Sequence, residues 1–297
     1  MAHDHAHDIP SHNRAFAIGV ALNVAFIIIE ITFGLMADSL ALLADAGHNI
    51  SDVVGLFLAW GASALATKPA TWTHSYGYRR ATILASLASA MLLFVAVGGI
   101  TWEAIQRFQS PAGTQGITVL VVAGIGVFIN GATAALFIKG QEEDLNIKGA
   151  FLHMAADAAV SLGVVLAGLG IIYTGWLWLD PAMSLAIAVV ILWSTWGLFR
   201  DSFNLAMDRV PKGLSLPDIA SHLGGFEGIA DVHDLHVWAV STTDTALTVH
   251  LVMPQPGTDA FLARVAREMH EHFGIGHTTI QIETRNAQCP QAQEMSF

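Results

Sequence analysis

Two stretches of the sequence pair a histidine with an aspartate four residues later, in otherwise strongly apolar surroundings. The first is LLADAGHNISDVV, which contains His48 and Asp52, and the second is GAFLHMAADAAVSL, which contains His153 and Asp157. On an α-helix, residues i and i+4 lie on the same face, so each pair predicts a clamp with two ligands. Two clamps that face each other would supply four ligands to one metal ion.

The chemistry of this ligand set favours a particular class of metal. Two imidazole nitrogens and two carboxylate oxygens in a tetrahedral array suit Zn²⁺, whereas Mg²⁺ and Ca²⁺ prefer six or more oxygens. Cd²⁺ and Co²⁺ also fit such a set. A single pair of this kind is equally explained by hydrogen bonding between helices. Two pairs at the same spacing, with almost no other ionisable side chains nearby, favour a metal site.

The segments that carry these pairs belong to a series of six apolar runs. The runs are Phe16 to Leu35, Leu40 to Ala66, Ala81 to Trp102, Gly116 to Ile138, Gly149 to Ile172 and Pro181 to Leu198. Most are near the roughly 20 residues that cross about 30 Å of hydrocarbon as a helix. With 54% hydrophobic residues, 12% charged residues and a mean hydropathy of +0.54, the composition predicts an integral protein of the lipid bilayer.

Charged residues outside the runs predict the orientation of the bundle. An even number of spans places both termini on one side, and most Lys and Arg residues flank that side. They are Arg14, Lys68, Arg79, Arg80, Lys139, Lys148, Arg200, Arg209 and Lys212, whereas Arg107 alone flanks the other. The positive-inside rule therefore predicts a multi-pass protein of the cell membrane, the inner membrane in a Gram-negative host, with cytoplasmic termini. The net charge of −11 argues against a nucleic acid partner and fits a cation.

Depth in the membrane tests whether the two clamps can meet. At about 1.5 Å per residue, His48 and Asp52 are expected roughly 12 to 18 Å from the outer end of the second helix. His153 and Asp157 reach the same level if the fifth helix begins about one turn before Gly149. The stretch QEEDLNIKG could supply that turn.

Other residues are candidates for supporting roles. Asp45, one turn before His48, is expected to orient its imidazole. The polar residues that could line the same route, or simply pack between helices, are Glu30, Asn23 and Asn130.

An amino-terminal tract of His3, His5, His7 and His12 interleaved with Asp4 and Asp8 is typical of metal capture, unless it is a cloning remnant. Because Cys289 is the only cysteine, an intrachain disulfide and a four-cysteine zinc site are excluded.

From about Asp208 the sequence becomes that of a small soluble domain. A short helix is predicted at SLPDIASHLGGF. Two strands joined by a turn at STTD are predicted at GIADVHDLHVWAV and TALTVHLVM. A second helix is predicted at DAFLARVAREMHEHF and a third strand at HTTIQIET. The order αββαβ favours a small open sheet with helices on one face. The expected divisions are a His-rich tail at 1–14, six transmembrane helices within 15–207, a metal-binding domain at 208–285 and a flexible tail at 286–297.

Several motifs together resemble one protein family. The motifs are SLALLADAGHNISD, HSYGYRRATILASL, HMAADAAVSLGVV, VHDLHVW and HTTIQIE. They resemble the cation diffusion facilitators, and the resemblance covers nearly the whole chain. Within this family the chain resembles the zinc-preferring branch, which includes cobalt, zinc and cadmium resistance exporters. The resemblance implies a transporter and not an enzyme. It also implies a homodimer of six-helix protomers with ferredoxin-like cytoplasmic domains that bind additional metal. Zinc would leave the cytoplasm as protons enter, which suits ligands that must lose protons to bind metal.

The resemblance also suggests ligands in the carboxy-terminal domain. His233, His250 and Glu283 match the family positions for a cytoplasmic metal site, with His236 and His277 as further possibilities. Alternation along a strand predicts that His236 faces away from His233. The alternative is that these histidines are solvated surface residues. Cys289 is a weaker candidate ligand.

One departure from the family pattern and one match to it concern the loop before the third helix. Some relatives hold a second ion at a stretch like HSFGH, but here only His74 remains, with Thr71 and Tyr78 at the other positions, so that site is not expected. In relatives a basic residue of this region pairs with an acid after helix six. Asp208 fits the acid and Arg79 or Arg80 the base, unless the arginines only anchor the positive side.

Other function classes make different demands on the sequence. An intramembrane metalloenzyme needs an open coordination position and a general base, and no H-E-x-x-H motif is present. A P-type pump is excluded, because there is no DKTG motif and no large nucleotide domain. A membrane metal sensor would bind zinc without moving it, and this alternative stays open. The expectation is a zinc exporter driven by protons.

Overall fold

The computed structural model describes residues 11–109, 113–138, 145–255 and 257–284 of the chain. The side chains of 11–20, 136–137 and 145–150 are outside this description. Several predicted features therefore lie outside the described residues: His3, His5 and His7 and the side chain of His12, the charged stretch at 141–144, Cys289 and the tail at 286–297.

Six long helices occupy the first two thirds of the chain. They are α1 (Ser11–Met36), α2 (Leu40–Ala66), α3 (Ala81–Gln109), α4 (Gly116–Phe137), α5 (Leu145–Thr174) and α6 (Leu179–Ala206). Within the described residues, α2 to α6 are long and apolar enough to span a bilayer, and the described side chains of α1 form a shorter apolar helix, Ala21–Met36. The predicted six spans are thus confirmed for five helices.

The chain divides into two compact units, each of which has its own core. The first unit takes in the described residues up to Leu56 together with Ser89–Trp196. Its buried core draws side chains from five helices, α2 to α6; they include Leu42, Val97, Val119, Val164 and Ile187. Large apolar side chains also face outward, among them Val95, Phe128 and Trp193. Helices that are apolar all round are the pattern expected of a membrane bundle.

Close packing of α4 against α5 depends on small residues. A Cβ on Gly168 would lie 3.0 Å from the backbone nitrogen of Leu120, and a Cβ on Gly116 would lie 3.2 Å from the carbonyl oxygen of Gly168. Both glycines therefore allow the two backbones to approach, as small residues commonly do between membrane helices. This contact fixes α5, which carries one of the two predicted clamps.

The amino terminus of α2 is capped by a carboxylate from another helix. Asp180, in the first turn of α6, is fully buried and accepts hydrogen bonds from the backbone nitrogens of Leu40 (2.7 Å) and Ala41 (3.3 Å). The hydroxyl of Ser39 donates to the same carboxylate at 2.5 Å. The first N–H groups of a helix have no partner within the helix, and its amino-terminal end favours negative charge. Asp180 thus fixes the start of the helix that carries His48 and Asp52.

The second unit contains the carboxy-terminal domain, built in the predicted order αββαβ. Its elements are α7 (Leu216–Gly224), β1 (Asp231–Ala239), β2 (Thr245–Val252), α8 (Asp259–Phe273) and β3 (His277–Glu283). The sheet order is β1-β2-β3, with β1 antiparallel and β3 parallel to β2. Apolar side chains of α7 and α8 pack on one sheet face that includes Leu235, Leu247 and Leu251. The other face is left for polar residues.

Two arginines of the same unit precede α3 and pair with aspartates. Arg80 lies 2.6 Å from the Asp208 carboxylate, which confirms the contact suggested by the resemblance. Arg79 lies 3.6 Å from the carboxylate of Asp244, in the turn between β1 and β2, a pairing that the sequence did not reveal. Both arginines are half exposed, so each pair contributes little stability by itself.

Candidate metal centre

The structure brings together the four residues of the two predicted clamps. His48 and Asp52 extend from α2, and His153 and Asp157 extend from α5. His48 Nε2 lies 3.8 Å from Asp52 and 3.5 Å from Asp157, while His153 Nε2 lies 3.3 Å from Asp52 and 3.6 Å from Asp157. The two imidazole centroids are 6.3 Å apart. We call these four residues the α2/α5 quartet.

The register of α5 makes this meeting possible. The helix begins at Leu145, one turn before Gly149, as the depth argument required. Because the rise is about 1.5 Å per residue, a start at Gly149 would be roughly 6 Å later along the helix axis. The expected start of the fifth helix about one turn before Gly149 is confirmed at Leu145, while the charged residues at 141–144 lie outside the described residues.

Atoms of the quartet lack the hydrogen bonds that buried polar groups usually make. Asp52 Oδ2 and His48 Nδ1 are buried and make no well-aligned hydrogen bond within the described residues, although His153 Nε2 lies 3.3 Å from Asp52 Oδ2. Asp157 is almost fully buried, whereas His153 is partly exposed. A buried carboxylate oxygen without a donor is costly unless a cation satisfies it. Ligand atoms of Asp52, His153 and Asp157 lie within 4.8 Å of one another, as one ion requires.

A buried polar network lies next to the quartet. Asp45 and Glu30 are both fully buried. The Ser161 hydroxyl donates to Asp45 Oδ2 at 3.0 Å, and the side-chain amide of Asn49 donates to Glu30 Oε2 at 3.1 Å. Asp45 was expected to orient His48, but it accepts a hydrogen bond from Ser161, and among the described residues His48 Nδ1 makes none. Ser161 and Asn49 were missed because short polar residues are common in helix packing.

The two asparagines that could line the route differ in their surroundings. Asn23 donates to the sulfur of Met154 at 3.4 Å, which places its amide one residue from His153 on α5. Asn130 is fully buried, and neither polar atom of its side chain hydrogen-bonds to a described residue. A role for Asn130 in the route stays a prediction.

A second cluster of ligand-type side chains lies on the outer face of the sheet. His233 of β1 and His250 of β2 are directly paired, with imidazole centroids 5.4 Å apart. Glu283, at the end of β3, reaches both: His233 Nε2 is 3.4 Å and His250 Nδ1 is 3.0 Å from its carboxylate. We call these three residues the sheet cluster. They come from three different strands, as predicted.

The sheet cluster fits a metal ion by its donor set and its unsatisfied nitrogen. His233 Nε2 is buried and makes no hydrogen bond within the described residues, although a carboxylate lies beside it. Two imidazoles and a carboxylate are ligands of Zn²⁺ and of neighbouring divalent ions. Ligand atoms of all three residues lie within 4.8 Å of one another.

A β-bulge at Asp234 changes the predicted direction of His236. The pairing of β1 with β2 shifts between His233 and His236, and Asp234 has a positive φ of 49°. The extra residue restores His236 to the outer face, because Leu235 and Val237 both enter the core. The prediction that His236 faces away from His233 is therefore wrong, since simple alternation does not hold across a bulge.

Asp234 itself is a site residue that sequence reasoning missed. Its carboxylate lies 3.0 Å from His236 Nε2 and 3.4 Å from His250 Nε2, so it connects His236 to the sheet cluster. An aspartate inside a strand is unusual, and this was the available signal. Carboxylates that contact the second nitrogen of a ligating histidine orient the ring and raise its basicity.

The remaining candidates lie apart from the sheet cluster. His277 begins β3, whereas Glu283 ends it, so about 20 Å of strand separates them. The imidazole of His277 instead contacts Tyr76, with ring centroids 5.5 Å apart. In the loop before α3, His74 stacks on Tyr78 at 4.5 Å. That loop holds one histidine, and a metal site there stays unexpected.

Sequence comparison identifies the family from two adjoining matches. The profile described as the cation efflux transmembrane domain matches residues 16–205, and the profile described as the cation efflux protein, cytoplasmic domain, matches residues 211–285. The chain belongs to the cation diffusion facilitator family. The resemblance inferred from the motifs is thus confirmed, and with five helices able to span a bilayer the chain is a multi-pass membrane protein.

Cation diffusion facilitators that resemble the chain along most of its length include several curated transporters. The metal cation efflux system protein CzcD of Cupriavidus metallidurans is 36% identical over 296 residues, 98% of this chain and 93% of CzcD. The cadmium, cobalt and zinc/H⁺–K⁺ antiporter of Bacillus subtilis is 35% identical over 94% of this chain and 92% of its own. The zinc transporter ZitB of Escherichia coli is 35% identical over 95% of this chain and 93% of ZitB.

Among solved structures, the metal-bound C-terminal domain of the CzcD transporter from Cupriavidus metallidurans matches part of the chain. It is 29% identical, with a TM-score of 0.22, and covers 24% of this chain and 99% of that domain.

Proposed function

We propose that this cation diffusion facilitator exports zinc from the cytoplasm in exchange for protons, and that the α2/α5 quartet binds the ion in transit. The observation that carries the proposal is the meeting of two imidazoles and two carboxylates from α2 and α5, with all four nitrogen-to-oxygen distances between 3.3 and 3.8 Å. Ionisable groups inside membrane helices commonly mark the path of an ion.

The division of ligands between two helices supports transport rather than permanent storage. Each helix supplies one imidazole and one carboxylate, so a shift of α2 against α5 would separate two ligands from the other two. The ion would then lose half of its coordination and leave. A catalytic zinc is disfavoured, because four protein ligands fill a tetrahedral shell and leave no position for water.

Proton exchange follows from the ligand chemistry. An imidazole must be neutral and a carboxylate ionised to bind Zn²⁺, so metal binding releases protons and metal release allows protonation. His48 and His153 are the natural carriers, since imidazole changes charge in the physiological pH range. The Bacillus subtilis relative, whose name describes an antiporter of cadmium, cobalt and zinc against protons and potassium, supports this coupling. Cd²⁺ and Co²⁺ are alternative substrates.

The proposed topology places both termini in the cytoplasm. The 26-residue helix α1 serves as the sixth span, and the domain divisions stay at 15–207 for the membrane part and 208–285 for the cytoplasmic part. The match of residues 211–285 to a family cytoplasmic domain supports this side for the sheet cluster. The protein would work as a homodimer in the cell membrane, with zinc at the sheet cluster as a regulatory ligand.

Transport can be tested in liposomes that contain purified protein and an internal zinc dye. With the vesicle interior more acidic than the outside, external Zn²⁺ should enter, and collapse of the pH gradient with a protonophore should slow its entry. Asp157→Asn, which keeps the shape of the side chain but removes its charge, should abolish the flux. Glu103→Gln, an exposed carboxylate on α3, is the matched control and should transport normally.

Two results would overturn parts of the proposal. Zinc binding without flux in the wild-type protein would favour a metal sensor. Flux that ignores the pH gradient would remove proton exchange and leave zinc export.

A further inference from the structure

A third group of ligand-type side chains lies on the helical side of the carboxy-terminal domain. His222 is in the last turn of α7, and Glu268 and His272 are one turn apart on α8. The Glu268 carboxylate lies 3.7 Å from His222 Nε2 and 3.2 Å from His272 Nδ1. Ligand atoms of all three lie within 4.8 Å of one another. We call these residues the α7/α8 cluster.

The separations suit one small divalent ion. Zinc–nitrogen and zinc–oxygen bonds are about 2.0 to 2.2 Å, so tetrahedral ligand atoms lie roughly 3.3 to 3.5 Å apart. The observed 3.2 and 3.7 Å bracket that value. The imidazole centroids of His222 and His272 are 5.1 Å apart, close enough for both rings to reach one ion.

Aromatic packing holds His222 in place, through Phe226 after α7 and through Phe273, the last residue of α8. Its ring contacts the edges of Phe226 and Phe273, with centroids 5.7 and 5.4 Å away. Glu268 and His272 would pair as helix neighbours in any case, but such a pair needs no third member. The third ligand comes from a separate helix and is oriented by aromatic contacts, so the cluster is built before any ion arrives.

The electrostatic surroundings favour a cation. Both helices end at this point, α7 at Gly224 and α8 at Phe273. The carboxyl end of a helix carries the equivalent of about half a negative charge. Glu268 adds a full negative charge, while His222 and His272 can bind metal in their neutral forms. The helix ends and Glu268 favour a divalent ion, and the positive charge of Arg264, whose guanidinium lies 5.7 Å from the Phe226 ring centroid, opposes it in part.

This cluster is separate from the sheet cluster. The helices α7 and α8 pack through Leu223 and Met269 on the sheet face that contains Leu247. His250 points from the opposite face, where the sheet cluster lies. The two groups share no residue, so an ion at one would not replace an ion at the other.

We propose that His222, Glu268 and His272 form an additional metal site that joins α7 to α8 and takes Zn²⁺, Co²⁺ or Ni²⁺. Two nitrogens and one oxygen favour these ions over Mg²⁺ and Ca²⁺. Three protein ligands leave a fourth position for water, and all three side chains are partly exposed to solvent. The site is therefore open to ions from solvent.

Equilibrium dialysis of the full chain in detergent against buffered free Zn²⁺ tests the site. His222→Ala and His272→Ala should each bind one ion fewer per chain than the wild type at saturation. The matched control is His270→Ala, a histidine of the same helix outside the cluster, which should bind as the wild type does. Equal stoichiometry in all four proteins would overturn the proposal.

Hydrogen exchange locates the ion without relying on those variants. In wild-type protein, Zn²⁺ should slow amide exchange at the carboxyl ends of α7 and α8 as well as in the sheet. The slowing at the helix ends should persist in His233→Ala, which removes a ligand of the sheet cluster only. If zinc protects the strands but leaves the helix ends unchanged, the assignment is wrong.

Discussion

Each carboxylate of the α2/α5 quartet lies within reach of both imidazoles. Asp52 is 3.8 and 3.3 Å from His48 and His153, and Asp157 is 3.5 and 3.6 Å from them. Imidazole nitrogens and carboxylate oxygens therefore alternate, with Asp157 facing His48 through Oδ1 and His153 through Oδ2. Because every ligand has two neighbours of the other type, exchanging one residue changes the charge and the hardness of the whole set.

Ion choice is expected to depend on His48. His48→Asp would replace a nitrogen ligand with a harder oxygen and add a negative charge, so the preference for Zn²⁺ over Mn²⁺ in the flux ratio should fall. Competition between these ions in the liposome flux assay measures the ratio. The control is His74→Asp, a change of the same kind in the loop before α3. A selectivity equal to wild type in His48→Asp would mean that His48 does not contact the ion.

Asp234 affects the sheet cluster through its contacts with two histidines. Asp234→Asn keeps a residue that tolerates the left-handed backbone but removes the charge that faces His236 and His250. Loss of such an outer contact typically weakens metal binding about 10- to 100-fold. Zinc titration of full-length protein should show this loss in the binding step that His233→Ala also removes. Asp259→Asn, in the first turn of α8, should leave that step in place.

At the scale of elements, the capping of α2 by α6 gives a test of how the quartet is positioned. Asp180→Asn would remove the negative charge from the amino terminus of α2, together with one strong acceptor for the N–H groups of Leu40 and Ala41. Helix caps and end charges each contribute about 1 kcal/mol, so a fall of a few degrees in melting temperature is expected. Thermal unfolding in detergent measures it, with Glu103→Gln as control. An unchanged melting temperature would show that the cap contributes no stability.

Elements could be predicted from sequence where periodicity was strong. The apolar runs of the membrane part and the αββαβ order of the domain both follow from hydrophobic patterns. The start of α5 at Leu145 was predictable because depth required it. The bulge at Asp234 was not, because alternation assumes an uninterrupted strand and a single positive φ leaves only a weak trace in sequence.

The site could be predicted only in part for a similar reason. The quartet and the sheet cluster contain residues whose types and spacing signal metal chemistry. Contacts such as Asp180 with α2, Ser161 with Asp45 and Arg79 with Asp244 join residues far apart in sequence. Those contacts depend on how helices and turns pack against one another, and the local spacing of residues does not specify this packing.

At the scale of the whole molecule, ligand groups occur in both compact units. The quartet belongs to the unit that includes residues 40–56 and 145–174, and the sheet cluster belongs to the unit that includes 211–284. If the quartet binds the transported ion, as proposed, it must release that ion at every cycle, whereas the sheet cluster need not, so the two can respond to different zinc concentrations. A ligand shifts a conformational equilibrium only by its difference in affinity for the two states.

The response to cytoplasmic zinc is therefore expected to separate from transport itself. The double variant His233→Ala with His250→Ala removes two ligands of the sheet cluster. An ion there would then no longer hold β1, β2 and β3 in one arrangement, and it would no longer draw the domains of a dimer together. Liposome flux measured over a series of free zinc concentrations should show a weaker activation at low zinc with substantial flux remaining at high zinc. Asp157→Ala should be inactive at every concentration, because it removes a ligand of the quartet. If the double variant is folded and dimeric yet as inactive as Asp157→Ala, the sheet cluster belongs to the transport path and not to its regulation.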